Sequence, residues 1–160
     1  MNSRCRSAFH TALILLLLAC TAPTLAATCR VTPTGSGDGS DWLQAASLQG
    51  ALADAACTEI WVAQGSYTPD GGSGDRSAHF AITRELRLLG GFSGSETSLE
   101  ERASRDPALT VLSGEIGDPG DTEDNSYRLI QLDASGVIGG FTADTVIDGF
   151  TLRDAQGTSN

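Results

Sequence analysis

The 160-residue chain contains no lysine, and all ten of its basic residues are arginine. The absence of lysine excludes Schiff-base chemistry on a lysine side chain and a Walker-type phosphate-binding loop, which requires a lysine. Basic residues number 10 against 20 acidic ones, and the arginines are not clustered. A chain with net charge −10 and no basic patch is not expected to bind nucleic acid or an anionic membrane surface.

The first 26 residues have the composition of a secretory signal peptide. Arg4 and Arg6 form a basic start, residues 13–19 are an unbroken apolar run, and residues 24–26 fit a signal-peptidase site. The apolar run is too short to span a bilayer, which takes about 20 residues. We therefore predict cleavage after Ala26 and an exported product, extracellular or at the cell surface. Cleavage would remove two arginines and no acidic residue, so the mature chain would have a net charge of −12. We expect no transmembrane helix in the mature chain.

The end of the apolar run leaves a second possibility. Residues 17–20 read Leu-Leu-Ala-Cys, which is similar to a bacterial lipobox in which Cys20 carries the lipid anchor. Leu18 fits its position in that motif poorly, and the apolar run before it is short. A lipoprotein anchored through Cys20 is therefore the minor alternative.

Two cysteines remain after the predicted cleavage, Cys29 and Cys57. An even pair in an oxidising compartment favours a structural disulfide, which would stabilise the fold by about 3–4 kcal/mol. Two free buried thiols and a reactive or metal-binding pair are the alternatives. Neither cysteine has a Cys-x-x-Cys spacing, so we predict the Cys29–Cys57 bridge.

Hydrophobic periodicity predicts one helix and a series of short strands. Residues 42–56 place Leu48, Leu52, Ala55 and Ala56 on one stripe at helical spacing. Two-residue alternation or short apolar runs predict strands at residues 29–32, 59–65, 80–82, 86–92, 111–116, 129–132 and 146–152.

A short phrase recurs three times, at residues 88–93, 137–142 and 146–151. It consists of two aliphatic residues, a variable position, then Gly-Phe and a hydroxyl residue, a pattern that predicts a strand followed by a tight bend. Strands also recur 18 residues apart, from residue 111 to 129 and to 147. This spacing favours parallel strands stacked as successive turns of a coil, at about 4.8 Å per step. An antiparallel sandwich of short strands is the alternative.

Several segments carry a family resemblance. They read GDGSDW at residues 37–42, EIWVAQGSYTP at 59–69, LSGEIG at 112–117, DNSY at 124–127 and IDGFT at 147–151. The chain resembles the N-terminal part of bacterial right-handed parallel β-helix repeat proteins, which have the pectin-lyase-like fold and include polymorphic outer-membrane and choice-of-anchor surface proteins. The resemblance implies an all-β fold, a right-handed parallel β-helix solenoid, and no defined catalytic residues. The helix lies just before the first predicted strand of the coil, and its narrow apolar stripe is suited to cover the open end as an N-terminal capping α-helix. The alternative is a general packing helix of an α+β domain.

The resemblance also implies a domain organisation. Residues 1–26 would be the signal peptide, residues 27–58 an N-terminal cap of a short strand, a loop and the helix, and residues 59–160 the first coils of the β-helix. Similar proteins continue for many more coils, so we expect a chain truncated at its C-terminus. The alternative is a short protein that dimerises through its last strands.

Carboxylates supply the candidate sites. Asp118, Asp121 and Asp124 are calcium candidates because the loop at residues 117–125 concentrates oxygen ligands. The spacing does not match an EF-hand loop, so a solvated turn is the competing interpretation, and no other cofactor is expected.

Catalytic and sugar-binding candidates are few. Asp144, Asp148 and Asp154 surround the last predicted strand, but acid–base chemistry needs two carboxyl groups at a fixed separation, so we assign no catalytic residue. Trp61 and Tyr67 could stack on sugar rings if they are exposed. For Trp61 we instead expect packing beneath the capping helix.

The resulting hypothesis is an exported, noncatalytic β-helix protein, secreted or at the cell surface, that serves in adhesion or contacts a polysaccharide or cell-surface glycan. One alternative is a polysaccharide lyase or glycoside hydrolase of the same fold whose site lies in missing coils. Another is a passenger fragment secreted through an outer-membrane barrel, as in autotransporters.

Overall fold

The computed structural model describes residues 27–157, which form nine short strands, one α-helix and three 3-10 turns. The strands are β1 Ala27–Val31, β2 Cys57–Ala63, β3 Gly65–Tyr67, β4 Phe80–Ile82, β5 Arg87–Phe92, β6 Thr110–Ser113, β7 Ile130–Leu132, β8 Val146–Asp148 and β9 Thr151–Arg153. The helix α1 is Leu48–Ala53, and the 3-10 turns are Leu99–Glu101, Pro107–Leu109 and Ala134–Gly136. The predicted signal peptide and the lipobox cysteine Cys20 lie outside the described residues.

The strands form three separate sheets in which every pairing is parallel. Sheet A has the order β1-β2-β5-β8, sheet B has the order β3-β6-β9, and sheet C is the pair β4-β7. In sheet A, Ile60 of β2 lies between Cys29 of β1 and Leu88 of β5. Parallel partners need crossover connections, so each strand pairs with one that is distant along the chain.

This arrangement is a small α/β domain with several short parallel sheets, and the predicted all-β, right-handed β-helix solenoid is wrong. The sheets have four, three and two strands, and no long solenoid is present in residues 27–157. Strands 18 residues apart do not stack on one another, because Val111 lies in sheet B, Ile130 in sheet C and Ile147 in sheet A. The spacing therefore did not mark successive turns of one coil.

The helix is much shorter than the predicted range of 42–56. Ser47 caps α1 by accepting the backbone N–H of Gly50 at 3.0 Å. The residues before Ser47 belong to a loop that is bound to β1, since the N–H of Ala46 donates to the carbonyl of Arg30 at 2.9 Å. Tertiary hydrogen bonds thus override the helical pattern upstream of the cap. No helix in residues 27–157 has the length and apolar character needed to cross a membrane.

Two hydrophobic clusters cover the two faces of sheet A. The main core contains Ile60 and Leu88 of sheet A together with buried side chains of α1 and of the other two sheets. The second cluster contains Trp61, Leu89 and Phe92. Successive residues of a strand point to opposite faces, so the two clusters lie on opposite sides of the sheet.

The predicted disulfide is present between Cys29 and Cys57, whose Cα atoms are 5.4 Å apart. Cys57 is the first residue of β2, not the last residue of the helix. The bond therefore links two neighbouring strands of sheet A within the main core, where both cysteine side chains are buried.

The predicted strand at residues 146–152 is two strands that belong to different sheets. Gly149 separates β8 from β9 with a φ of 82°, in the left-handed region that favours glycine. A Cβ on Gly149 would also lie 3.1 Å from the carbonyl oxygen of Gly90, a tight approach to the backbone of β5. The phrase at residues 137–142 is not a strand, and its Ile138 is fully exposed.

Candidate functional site

A polar groove opens where β1 ends at the edge of sheet A. Its two walls are residues 32–37 and residues 42–45, and its volume is about 360 Å³. The polar side chains along it are the hydroxyls of Thr32, Thr34 and Ser36 and the amide of Gln44. The carboxyl ends of parallel strands are where ligands commonly bind in α/β proteins.

Backbone contacts hold the two walls of the polar groove together. The N–H of Gly37 donates to the carbonyl of Ala45 at 2.9 Å, and a Cβ on Gly37 would lie 2.3 Å from the carbonyl oxygen of Gln44. The carboxylate of Asp41 accepts the N–H groups of Leu43 and Gln44, both at 2.8 Å. These hydrogen bonds hold the shape of the groove without a bound ligand.

Trp42 links the polar groove to the second cluster. Its indole Nε1 donates to the carbonyl of Glu96 at 2.9 Å, and its ring packs on Phe92 with centroids 6.0 Å apart. The residue remains half-buried and lines the groove, beside Leu43, which is 92% exposed. An aromatic edge, an exposed aliphatic side chain and several hydroxyls form a mixed surface suited to a polar organic ligand.

The two aromatic residues named as sugar-stacking candidates are both buried. Trp61 and Tyr67 are each 4% exposed. Trp61 belongs to the second cluster, on the face of sheet A away from α1, and the hydroxyl of Tyr67 donates to the carbonyl of Ala63 at 2.8 Å. Neither ring can stack on a sugar in this structure. No pattern in the sequence distinguishes these two residues from Trp42.

A second groove, of about 440 Å³, lies at the amino ends of the sheet A strands. It is lined by charged residues that include Glu59, Glu85, Arg87 and Asp144. Glu59 pairs with Arg87 and accepts the indole N–H of Trp61 at 2.6 Å. The hydroxyl of Thr145 donates to Glu85 and lowers the pKa of its carboxyl group. Two of the three carboxylates in this groove, those of Glu59 and Glu85, therefore have hydrogen-bond partners within the protein.

The lowered pKa of Glu85 follows a trend that holds for carboxyl groups across the described residues. Eight of them in residues 27–157 have pKa values that their surroundings clearly shift, and every shift is downwards. They are Asp38, Asp70, Asp75, Glu85, Glu96, Glu100, Glu101 and Asp133. A general acid that works near neutral pH needs the opposite, a raised pKa. These groups act as hydrogen-bond acceptors.

The three aspartates near the last predicted strand have different surroundings. Asp144 borders the second groove, and Asp148 pairs with Arg102 at 2.6 Å. Asp154 accepts the hydroxyl of Ser113 at 3.2 Å and has a φ of 61°, unusual for a residue other than glycine.

The calcium candidates lie in a loop whose carboxylates bond to backbone amides. Oδ2 of Asp124 accepts the N–H of Asp118 at 2.7 Å, and Oδ1 of Asp121 accepts the N–H of Glu123 at 2.9 Å. Asp118 and Asp121 are exposed, whereas Asp124 is half-buried. Residues 27–157 contain no group of three or more His, Cys, Asp or Glu side chains arranged to hold a metal ion.

Comparisons of the chain with models of known protein families, with curated proteins and with solved structures found no match. The resemblance to β-helix repeat proteins therefore depends on the short segments quoted above.

Proposed function

We propose that the protein is an exported, noncatalytic binding protein that contacts a neutral polysaccharide or cell-surface glycan through the polar groove. The observation that carries the proposal is the pre-formed groove, in which hydroxyls, an amide and the half-buried Trp42 line walls held by backbone hydrogen bonds. A groove that is already ordered binds a flexible sugar chain without the additional entropy cost of ordering its own loops.

Charge favours a neutral ligand. Asp38 and Asp41 adjoin the groove, and the hydrogen bonds from Ser40 lower the pKa of Asp38, which keeps it anionic at neutral pH. The chain as a whole carries a net charge of −10. An anionic polysaccharide would be repelled, whereas neutral sugars offer hydroxyls that pair with the Thr34 and Gln44 side chains.

Two further observations support the noncatalytic and exported parts of the proposal. The downward pKa shifts leave no reason to assign a general acid among the shifted carboxyl groups. The Cys29–Cys57 bond and the predicted leader are both typical of proteins exported to an oxidising compartment.

The test is calorimetric titration of the purified protein with neutral glucans, mannans and galactans, with polygalacturonate as the anionic comparison. We expect binding to at least one neutral polysaccharide and none to polygalacturonate. Thr34→Ala and Gln44→Ala should each weaken that binding by about fivefold or more, since each removes a groove hydrogen bond of about 1 kcal/mol. The control is Thr122→Ala, at an exposed threonine of the loop at residues 117–125. Binding that all three variants leave unchanged would exclude the groove as the site.

A further inference from the structure

Four side-chain oxygens in residues 115–126 are buried and have no hydrogen-bond partner within the described chain. They are Oε1 of Glu115, Oδ1 of Asp124, Oδ1 of Asn125 and Oγ of Ser126. Asn125 is 2% exposed, and Ser126 is completely buried. Buried polar atoms are nearly always paired, because a buried donor or acceptor without a partner is destabilising. The four belong to two stretches of chain, residue 115 and residues 124–126.

The backbone brings the two ends of this segment together. The N–H of Ser126 donates to the carbonyl of Gly114 at 2.9 Å, so Glu115 follows one side of this pair and Asn125 precedes the other. The carboxylate of Asp124 lies against Gly117, where a Cβ would come within 2.4 Å of Oδ2. We call residues 114–117 and 124–126 the loop neck. All four unpaired oxygens belong to it.

The chemistry of the loop neck suits a hard cation better than water. Calcium takes six to eight oxygen ligands from carboxylates, amide carbonyls and water at about 2.3–2.6 Å. The Glu115, Asp124 and Asn125 oxygens can only accept, and a single water, which donates two hydrogen bonds, cannot satisfy all three. Residues 106–127 contain no basic residue. Arg76 approaches the loop, but its Nε donates to the backbone carbonyl of Asn125 at 2.8 Å and leaves the side-chain oxygens unpaired.

We propose that the loop neck binds one Ca²⁺ ion through side-chain oxygens of Glu115, Asp124, Asn125 and Ser126. Backbone carbonyls and water would complete the coordination sphere. This ligand set shares only Asp124 with the trio of loop aspartates predicted from the sequence. With two carboxylates, the site should have a Kd on the order of 0.1–1 mM, the range of calcium sites in extracellular modules.

The first test is thermal unfolding and calorimetry of the chelator-treated protein with CaCl2 alone. We expect one ion per chain and a rise in Tm of about 3–6 °C at 10 mM Ca²⁺ relative to EDTA. Mg²⁺ should give a smaller shift at the same concentration, because it retains its water shell. A Tm that is the same in EDTA and in 10 mM Ca²⁺, as expected for a neck that holds only water, would overturn the proposal.

Matched variants locate the ion. Glu115→Gln and Asp124→Asn should weaken Ca²⁺ binding at least tenfold, whereas the controls Glu123→Gln and Asp121→Asn, in the exposed part of the same loop, should change it less than twofold. In EDTA, Glu115→Gln should be at least as stable as the unchanged protein, because it removes the negative charge from a half-buried carboxylate whose Oε1 has no partner. Equal losses of binding in all four variants would show a diffuse acidic surface and contradict the proposal.

A spectroscopic test does not depend on the folding of those variants. Tb³⁺ bound at the loop neck should show luminescence sensitised by Tyr127, the residue next to Ser126. Tyr127→Phe should remove most of that emission without changing Ca²⁺ affinity, and added Ca²⁺ should quench it. Emission that Tyr127→Phe leaves intact would place the ion elsewhere.

Discussion

Trp61 stacks on Phe92, with ring centroids 4.7 Å apart and ring planes inclined by 9°. The guanidinium of Arg30 lies 5.4 Å from the Trp61 ring, and that of Arg102 lies 5.7 Å from the Phe92 ring. The four side chains form a column across β1, β2 and β5, on the face of sheet A that also supports Trp42. The column therefore connects the stability of the sheet to the position of the polar groove.

Truncation of the aromatic column should be strongly destabilising. Phe92 is fully buried, so Phe92→Ala should lower the free energy of unfolding by about 3–5 kcal/mol, through lost burial and the cavity left behind. Urea denaturation measures the change. Phe150→Ala, at a half-buried phenylalanine, is the matched control and should cost clearly less. Equal losses of unfolding free energy in the two variants would show that the aromatic column contributes no more to stability than a half-buried phenylalanine does.

Arg102 is expected to matter more than Arg87, although both pair with a carboxylate. The Arg102 side chain is 5% exposed and donates to the carbonyl of Gly90 and to the carboxylate of Asp148, both at 2.6 Å. Arg102→Ala should lower the free energy of unfolding by about 2–3 kcal/mol. Arg87, which is 45% exposed beside Glu59, should cost about 1 kcal/mol or less when replaced by alanine. The reverse order in urea denaturation would show that burial does not set the strength of these pairs.

The Cys29–Cys57 bond should account for a substantial part of the stability. The two cysteines are separated by 28 positions, and closing a loop of that length stabilises a fold by about 3–4 kcal/mol. The double variant Cys29→Ala/Cys57→Ala should lose about that amount in urea denaturation. A reducing agent should destabilise the unchanged protein similarly and leave the double variant unaffected. A reductant effect on the double variant would point to another cause.

Glu96 should make folding sensitive to acid. Burial by itself raises the pKa of its carboxyl group, but hydrogen bonds from the backbone amides of Ser93 and Ser95 outweigh burial and lower the pKa to about 2. The contribution of Glu96 is therefore fully present above about pH 4.5, the pKa range of an unfolded glutamate, and is lost as the pH falls towards 2.

The comparison that isolates this effect is Glu96→Gln against the unchanged protein. At pH 7 the variant should be less stable by about 2–3 kcal/mol, and the difference should shrink steadily between pH 4.5 and 2. Glu123→Gln, at an exposed position, should show no such pH-dependent difference. A gap between Glu96→Gln and the unchanged protein that stays constant down to pH 2 would contradict the lowered pKa.

Local patterns in the sequence predicted local structure well. The alternation of Ile60 and Val62 with Trp61 located β2, and Phe80 with Ile82 located β4, because a two-residue period depends only on neighbouring side chains. The single disulfide followed from the count of cysteines left after the leader. These predictions needed no knowledge of which strand pairs with which.

Predictions that depended on distant contacts were wrong. The helix predicted from residue 42 begins at Leu48, because the backbone N–H of Ala46 donates to β1 instead. The spacing of apolar residues within the helix does not indicate this distant partner. The 18-residue spacing suggested one stack, yet the bend at Gly149 sends β8 and β9 to different sheets. Strand pairing is set by long-range packing, and equal spacing along the chain does not determine it.

The candidate sites show the same limit. Trp42 and Trp61 look alike in the sequence, and only the fold buries Trp61 and leaves Trp42 beside the groove. The calcium candidates predicted from the sequence are aspartates of the loop at residues 117–125. The unpaired oxygens belong instead to Asn125, Ser126 and their neighbours. The sequence feature that could have predicted these oxygens is the pair of small polar residues Asn125 and Ser126, which directly follows the acidic residues of the loop and precedes β7.

The most direct test of the account is to follow one neutral polysaccharide that binds the protein, for both binding and cleavage, in a single incubation. We predict saturable binding, loss of that binding in the Thr34→Ala/Gln44→Ala double variant, and no change in polysaccharide chain length or release of oligosaccharides. Shortening of the polysaccharide by the unchanged protein, or full binding by the double variant, would contradict it.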